Sequence, residues 1–131
     1  MRLVVDTSVI IAVVAGEPSK DALIRVTKGA DLLAPPSLHW ELGNALAAQL
    51  RRGRLTLDQA HKLVQSYVSI PMQFVDVSLE SALEIAVEGG IYAYDAYMIA
   101  CAETYRCPLL TLDRDLEKAA REAGVDVVEV E

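Results

Sequence analysis

Aromatic residues are scarce in this chain: one Trp, one Phe and five Tyr among 131 residues. The core must therefore be filled by Ala, Val and Leu, which suits helices packed closely on a sheet. Cysteine is nearly absent. Cys101 and Cys107 have no metal-binding spacing and form no disulfide framework, so they read as reduced thiols. No apolar run is long enough to span a membrane, and the opening residues reach Asp6 too soon for a secretory leader, so a cytoplasmic location is expected. Basic residues are outnumbered, 12 Lys and Arg against 19 Asp and Glu, for a net charge of −7. That excludes a broad electrostatic footprint on nucleic acid but leaves room for a local one. Repeats, linkers and low-complexity segments are also missing. With 53% hydrophobic and 24% charged residues, the chain is expected to form a single domain, 1–131, with one real core.

Periodicity supplies the elements. Leu3 to Val5 reads as a short buried strand, and Asp6-Thr7-Ser8 opens an apolar helix that runs through Val14. A second helix follows from about 19 to 28, then a strand at Leu32 to Ala34, closed by Pro35-Pro36. Ser37 is the expected N-cap of a helix to about Arg52, with Leu38, Leu42, Ala45 and Leu46 as its core stripe. Thr56 and Gln59 form a capping box for a helix to about Ser69. Met72 to Val77 predicts a strand, and Ser78 caps a helix that ends at Gly89-Gly90. A helix from near Tyr94 to about Tyr105, a strand from Pro108 to Leu112, a helix past Leu116 and Ala120, and a strand from Val125 to Val130 complete the chain. The order β-αα-β-αα-β-αα-β-α-β predicts an α/β fold, with a parallel sheet covered by helices on both faces.

Four acids stand where such a fold converges. Asp6 and Asp113 end strands, and ligands bind beyond the carboxyl ends of parallel strands. Glu41 and Asp95 lie in the opening turns of helices. Taken singly, Asp6 and Asp113 also serve as helix caps, and Asp95 as a first-turn acid facing the helix dipole. Glu41 has no capping role, since it lies past the cap beside an apolar stripe. Clustered carboxylates without Lys or Arg partners repel one another, and a hard divalent cation such as Mg²⁺ or Mn²⁺ would relieve that repulsion. Ser8 and Thr111 place hydroxyls next to these acids. Asp115 reads either as a supporting acid or as an exposed acid paired with Lys118. His39 and His61 read as surface residues. Arg51, Arg52 and Arg54, with Arg114 beside Asp113, are the candidates for phosphate contacts; the alternative for the Arg run is a solvated helix end.

In order, Val4-Val5-Asp6-Thr7-Ser8, Glu41, Tyr94-Asp95-Ala96 and Leu110-Thr111-Leu112-Asp113-Arg114-Asp115 resemble the PIN-domain ribonucleases. The chain length is similar to that of the VapC toxins of VapBC toxin–antitoxin modules. The resemblance implies a three-layer α/β/α sandwich with a five-stranded parallel sheet. It also implies Asp6, Glu41, Asp95 and Asp113 as the catalytic, metal-holding quartet, with Ser8 and Thr111 in support. Mg²⁺, replaceable by Mn²⁺, would be the cofactor and RNA the substrate; the partners implied are a VapB-type antitoxin and a second copy of the chain. Tyr97 is bulkier than expected so soon after Asp95, and would narrow the site if it turned inward.

Competing readings fare less well. A receiver domain needs paired acids at the first strand and a Lys near the last; Asp6 has no acidic neighbour and no Lys follows Lys118. A haloacid-dehalogenase-type phosphatase needs Asp-x-Asp, and position 8 is Ser. A PIN nuclease of RNA maturation and a non-catalytic domain of the same fold are the remaining alternatives.

Overall fold

The strand at the middle of the sheet is β1 (Arg2–Val5), whose Leu3, Val4 and Val5 are wholly buried. A strand buried on both faces reads as a continuous apolar run. In the computed structural model, which describes residues 1–130, β1 pairs in parallel with β2 (Asp31–Ala34) on one side. On the other side it pairs in parallel with β4 (Leu109–Leu110). The strand β3 (Gln73–Phe74) adds to the far edge of β2, giving the order β3-β2-β1-β4.

Helices α1 (Thr7–Val14) and α2 (Lys20–Thr27) link β1 to β2. Helices α3 (Ser37–Arg51) and α4 (Leu57–Val68) link β2 to β3, and α5 (Leu79–Gly89) and α6 (Ala93–Tyr105) link β3 to β4. Helix α7 (Arg114–Glu122) follows β4, and helices cover both sides of the sheet. α6 buries Ala96, Met98, Ile99, Ala100, Cys101 and Ala102, so it is apolar nearly all round and sits inside the molecule. Among the described residues no helix is long and apolar enough to cross a membrane.

The expected fifth strand is a correction. The described sheet has four strands, and the segment after α7 makes a single parallel bridge, Leu109 with Val127. Two hydrogen bonds flank it, Leu109 N–H to the Asp126 carbonyl (2.9 Å) and Val128 N–H to the Leu109 carbonyl (2.9 Å). β4 is only two residues long, so it offers Val127 one position and no ladder. β4 itself stops short of the expected Leu112 because its next amides bond to side chains: Leu112 N–H to Ser8 Oγ (2.9 Å) and Asp113 N–H to Thr111 Oγ1 (3.0 Å).

Ser37 is not the cap of α3. Pro36 occupies that position in helical conformation, and Leu38 and His39 donate their N–H groups to the carbonyls of Pro35 and Pro36. These tight bonds satisfy the amides a cap would serve. Thr56 and Ser78 do cap their helices, and Thr56 completes its box with Gln59.

Candidate active site

Asp6 leaves β1 and immediately caps α1, where its carboxylate accepts from Val9 N–H at 3.3 Å. It is 5% exposed, so the charge needs partners. Ser8 Oγ donates to Oδ1 and Thr111 Oγ1 to Oδ2, each at 2.6 Å. Both hydroxyls also accept a backbone N–H, from Leu112 and Asp113 respectively, which leaves their protons for Asp6. Thus the carboxyl ends of β1 and β4 are joined through one carboxylate. Burial raises the Asp6 pKa above the usual carboxylate value, the Ser8, Thr111 and Val9 bonds oppose that rise, and Glu41 adds to it.

Asp113 caps α7 with Oδ1, accepting from Asp115 N–H (2.9 Å) and Leu116 N–H (3.2 Å). Glu41, half-buried on α3, accepts a hydrogen bond from Thr7 Oγ1. Asp95 sits half-buried in the first turn of α6. Its carboxyl is pushed up to about 6, first by burial and then by Asp113, Glu41, Asp6 and Asp115. All four predicted acids, with Asp115, therefore share one electrostatic field. Among the described residues no cation is paired with them; the ion pairs there join Arg121 to Glu117 and to Glu129. The expected Asp115–Lys118 pair does not form, and Asp115 stays exposed within the acid field.

An all-oxygen, uncompensated donor set suits a hard divalent cation. The carboxylates of Asp6, Glu41 and Asp113 are engaged with hydroxyl and amide donors. Among the described residues no three acidic, imidazole or thiol groups yet converge as ligands on one point. Cation binding would exchange some of these hydrogen bonds for metal contacts.

Sequence reading missed Thr7. It is buried, 7% exposed, and its hydroxyl reaches Glu41 across 34 positions of chain. The available signal was a polar residue next to Asp6 at the start of an otherwise apolar helix. Among the predicted basic residues, Arg114 is exposed beside Asp113 and lines a shallow cavity with Thr111. Arg51, Arg52 and Arg54 are exposed at the opposite end of α3, and Arg51 stands about 15 Å further along that helix than Glu41. His39 and His61 are exposed, as expected.

Replacing Thr111 by Val keeps the shape but leaves Asp6 one donor short. A lost hydrogen bond to a buried charge should cost about 2 kcal/mol at neutral pH, read as a lower denaturant midpoint of the metal-free chain, with Thr111→Ser close to wild type.

The PIN domain family model matches residues 3–122 of the chain. The chain belongs to the PIN-domain family. Within that family it is similar to Ribonuclease VapC3 of Pyrobaculum aerophilum, 33% identical over 121 residues that cover 88% of this chain and 92% of the relative. The solved structure of PAE2754 from the same organism superposes with a TM-score of 0.71 at 29% identity, over 91% of this PIN domain and 87% of that chain. VapBC2 from Rickettsia felis, solved bound to a DNA fragment from its promoter, gives a TM-score of 0.74 at 14% identity, with all of both chains covered.

Proposed function

We propose that this PIN domain, residues 1–131, is a divalent-metal-dependent endoribonuclease and the toxin of a toxin–antitoxin module. The observation that carries this is the cluster of Asp6, Glu41, Asp95, Asp113 and Asp115, which lifts the Asp95 carboxyl to about 6 and has no paired cation among the described residues. Asp6, Glu41, Asp95 and Asp113 would hold Mg²⁺ or Mn²⁺. When bound, the cation supplies charge to the phosphate and acidifies the attacking water. The protein supplies orientation. Ser8 and Thr111 fix both oxygens of Asp6, Thr7 fixes Glu41, and α7 fixes Asp113. Exposed Arg114, next to Asp113, would hold a phosphate beside the cut, while Arg51, Arg52 and Arg54 would meet RNA only further along its backbone.

The name and 33% identity of the VapC relative support the toxin role and a VapB-type antitoxin as partner. The surface supports docking on helices other than α1. Val9, Ile10 and Ala12 of α1 are buried because that helix packs against α2, α3 and α4. Exposed apolar residues lie instead on α4 (Leu57, Val64, Val68) and α5 (Leu79, Leu83, Val87). These faces suit an antitoxin helix and a second copy of the chain.

Incubated with single-stranded RNA, the purified chain should cut internally in Mg²⁺ or Mn²⁺, fall to background in EDTA, and recover when the metal is restored. Cleavage that persists in EDTA would refute the metal mechanism.

A further inference from the structure

A groove of about 250 Å³ opens beside the acid site, lined by Pro35, Pro36 and Ser37 at the start of α3, Asp76 and Val77 after β3, Leu79 at the start of α5, and Tyr97 of α6. It lies at the carboxyl ends of β2 and β3, on the rim that carries Asp6 at the end of β1. Neighbouring strands are about 4.8 Å apart, so the groove begins roughly 5 to 10 Å from the proposed cut. Both helices that bear acids also wall it: Ser37 stands one turn before Glu41 on α3, and Tyr97 two residues after Asp95 on α6. Residues two apart on a helix face different ways, so Tyr97 serves the groove while Asp95 serves the acid field.

Two features of this wall are unexplained by the acid chemistry. Tyr97 is half-buried and set edge-on to Tyr94, with ring centroids 6.0 Å apart and planes at 86°. This arrangement leaves a ring held in place. The Ser37 hydroxyl is covered and has no hydrogen-bond partner, which native structures seldom leave standing. It turns about a single torsion, so an entering polar edge can recruit it.

Resting on the nuclease reading above, we propose that this groove is the subsite for one unpaired base of the RNA, next to the scissile phosphate. RNA is read chiefly through splayed-out bases stacked on aromatic rings and hydrogen-bonded along their edges. Tyr97 supplies the stacking face. Exposed Asp76 accepts from an exocyclic or ring N–H, and Ser37 completes the edge. The absence of Lys and Arg from the lining suits a base rather than a phosphate. A base seated there would hold the adjoining phosphodiester against Asp6 and its neighbours.

The test uses the full chain and a pool of single-stranded RNAs randomised around a central window, with cut ends mapped by sequencing. Wild type should show a base preference at one position flanking the cut. Tyr97→Ala should cut the preferred sequence about tenfold or more slowly and flatten that preference, while Tyr97→Phe keeps it. Ser37→Ala should change which bases are accepted there. Repeating the selection by binding alone, in an Asp6→Asn background, separates the two ideas. If wild type cuts nothing yet the Asp6→Asn chain still selects a base through Tyr97, the nuclease reading fails and the subsite stands. An unchanged preference in both Tyr97→Ala and Ser37→Ala, an equal loss for every sequence, or weakened antitoxin binding with the RNA preference intact would each overturn the subsite.

Discussion

Asp6→Asn is expected to lower RNA cleavage about a thousandfold or more, a barrier increase of about 4 kcal/mol, and to leave the chain folded. Asparagine has nearly the same shape as aspartate but lacks the charge. Asp6 is the carboxylate on which the ends of β1 and β4 meet, and it accepts from Ser8, Thr111 and Val9. Val9 N–H and Ser8 Oγ can still donate to the amide oxygen in the Oδ1 position, and Thr111 Oγ1 can rotate to accept from the new NH2 while still receiving the Asp113 N–H. Burial makes the native charge costly, so removing it should not reduce the melting temperature of the metal-free chain. Rate and melting temperature therefore separate chemistry from structure. Inducible expression of wild type and Asp6→Asn, followed by mapping of RNA ends, extends the measurement to the cell. Growth arrest with defined cuts, lost in the variant, is the expected result; cleavage retained at even a tenth of the wild-type rate removes Asp6 from the metal site.

The acids were legible from sequence to different degrees, and the differences have physical causes. Asp6 and Asp113 each cap the helix that follows, an interaction within two or three residues that composition reveals directly. Thr56 and Ser78 were legible for the same reason. Ser37 misled because Pro36 already holds the cap position of α3, and no local rule told a cap from the first residue inside. What joins the site is not local at all. Thr111 meets Asp6 across 105 positions, and Thr7 meets Glu41 across 34. Those contacts depend on sheet order, which periodicity does not encode. The shortened β4 and the single bridge in place of a fifth strand follow from the same contacts, because side chains of the site take the amides that a longer ladder would use. The PIN-domain resemblance named the four acids in advance; the hydroxyls that hold Asp6 and Glu41 became visible only in three dimensions.

In the absence of divalent cations, the stability of this PIN domain is expected to fall as pH rises from about 4 to about 6. The folded-state pKa of Asp95 is raised from 3.8 to about 6, so between those values the folded chain binds more protons than the unfolded chain. Stability rises with pH only where the unfolded state binds more protons, so here it declines. The contribution is fully present below about pH 4 and lost once pH exceeds the folded value. Asp6, whose pKa is also raised, adds in the same direction. Asp95→Asn removes the titration and the repulsion from Asp113, Glu41, Asp6 and Asp115 together. In EDTA the variant should melt with wild type near pH 4 and several degrees above it at pH 7 to 8. Mg²⁺ or Mn²⁺ should reverse that ranking at neutral pH, because wild type gains binding energy through the restored carboxylate and the variant gains little. Scanning calorimetry across pH, with chelator and with metal, reads both effects without any RNA substrate. A difference in melting temperature that stays flat with pH would show that Asp95 stands outside the acid field. A metal-induced rise of equal size in both proteins would show that it stands outside the metal site.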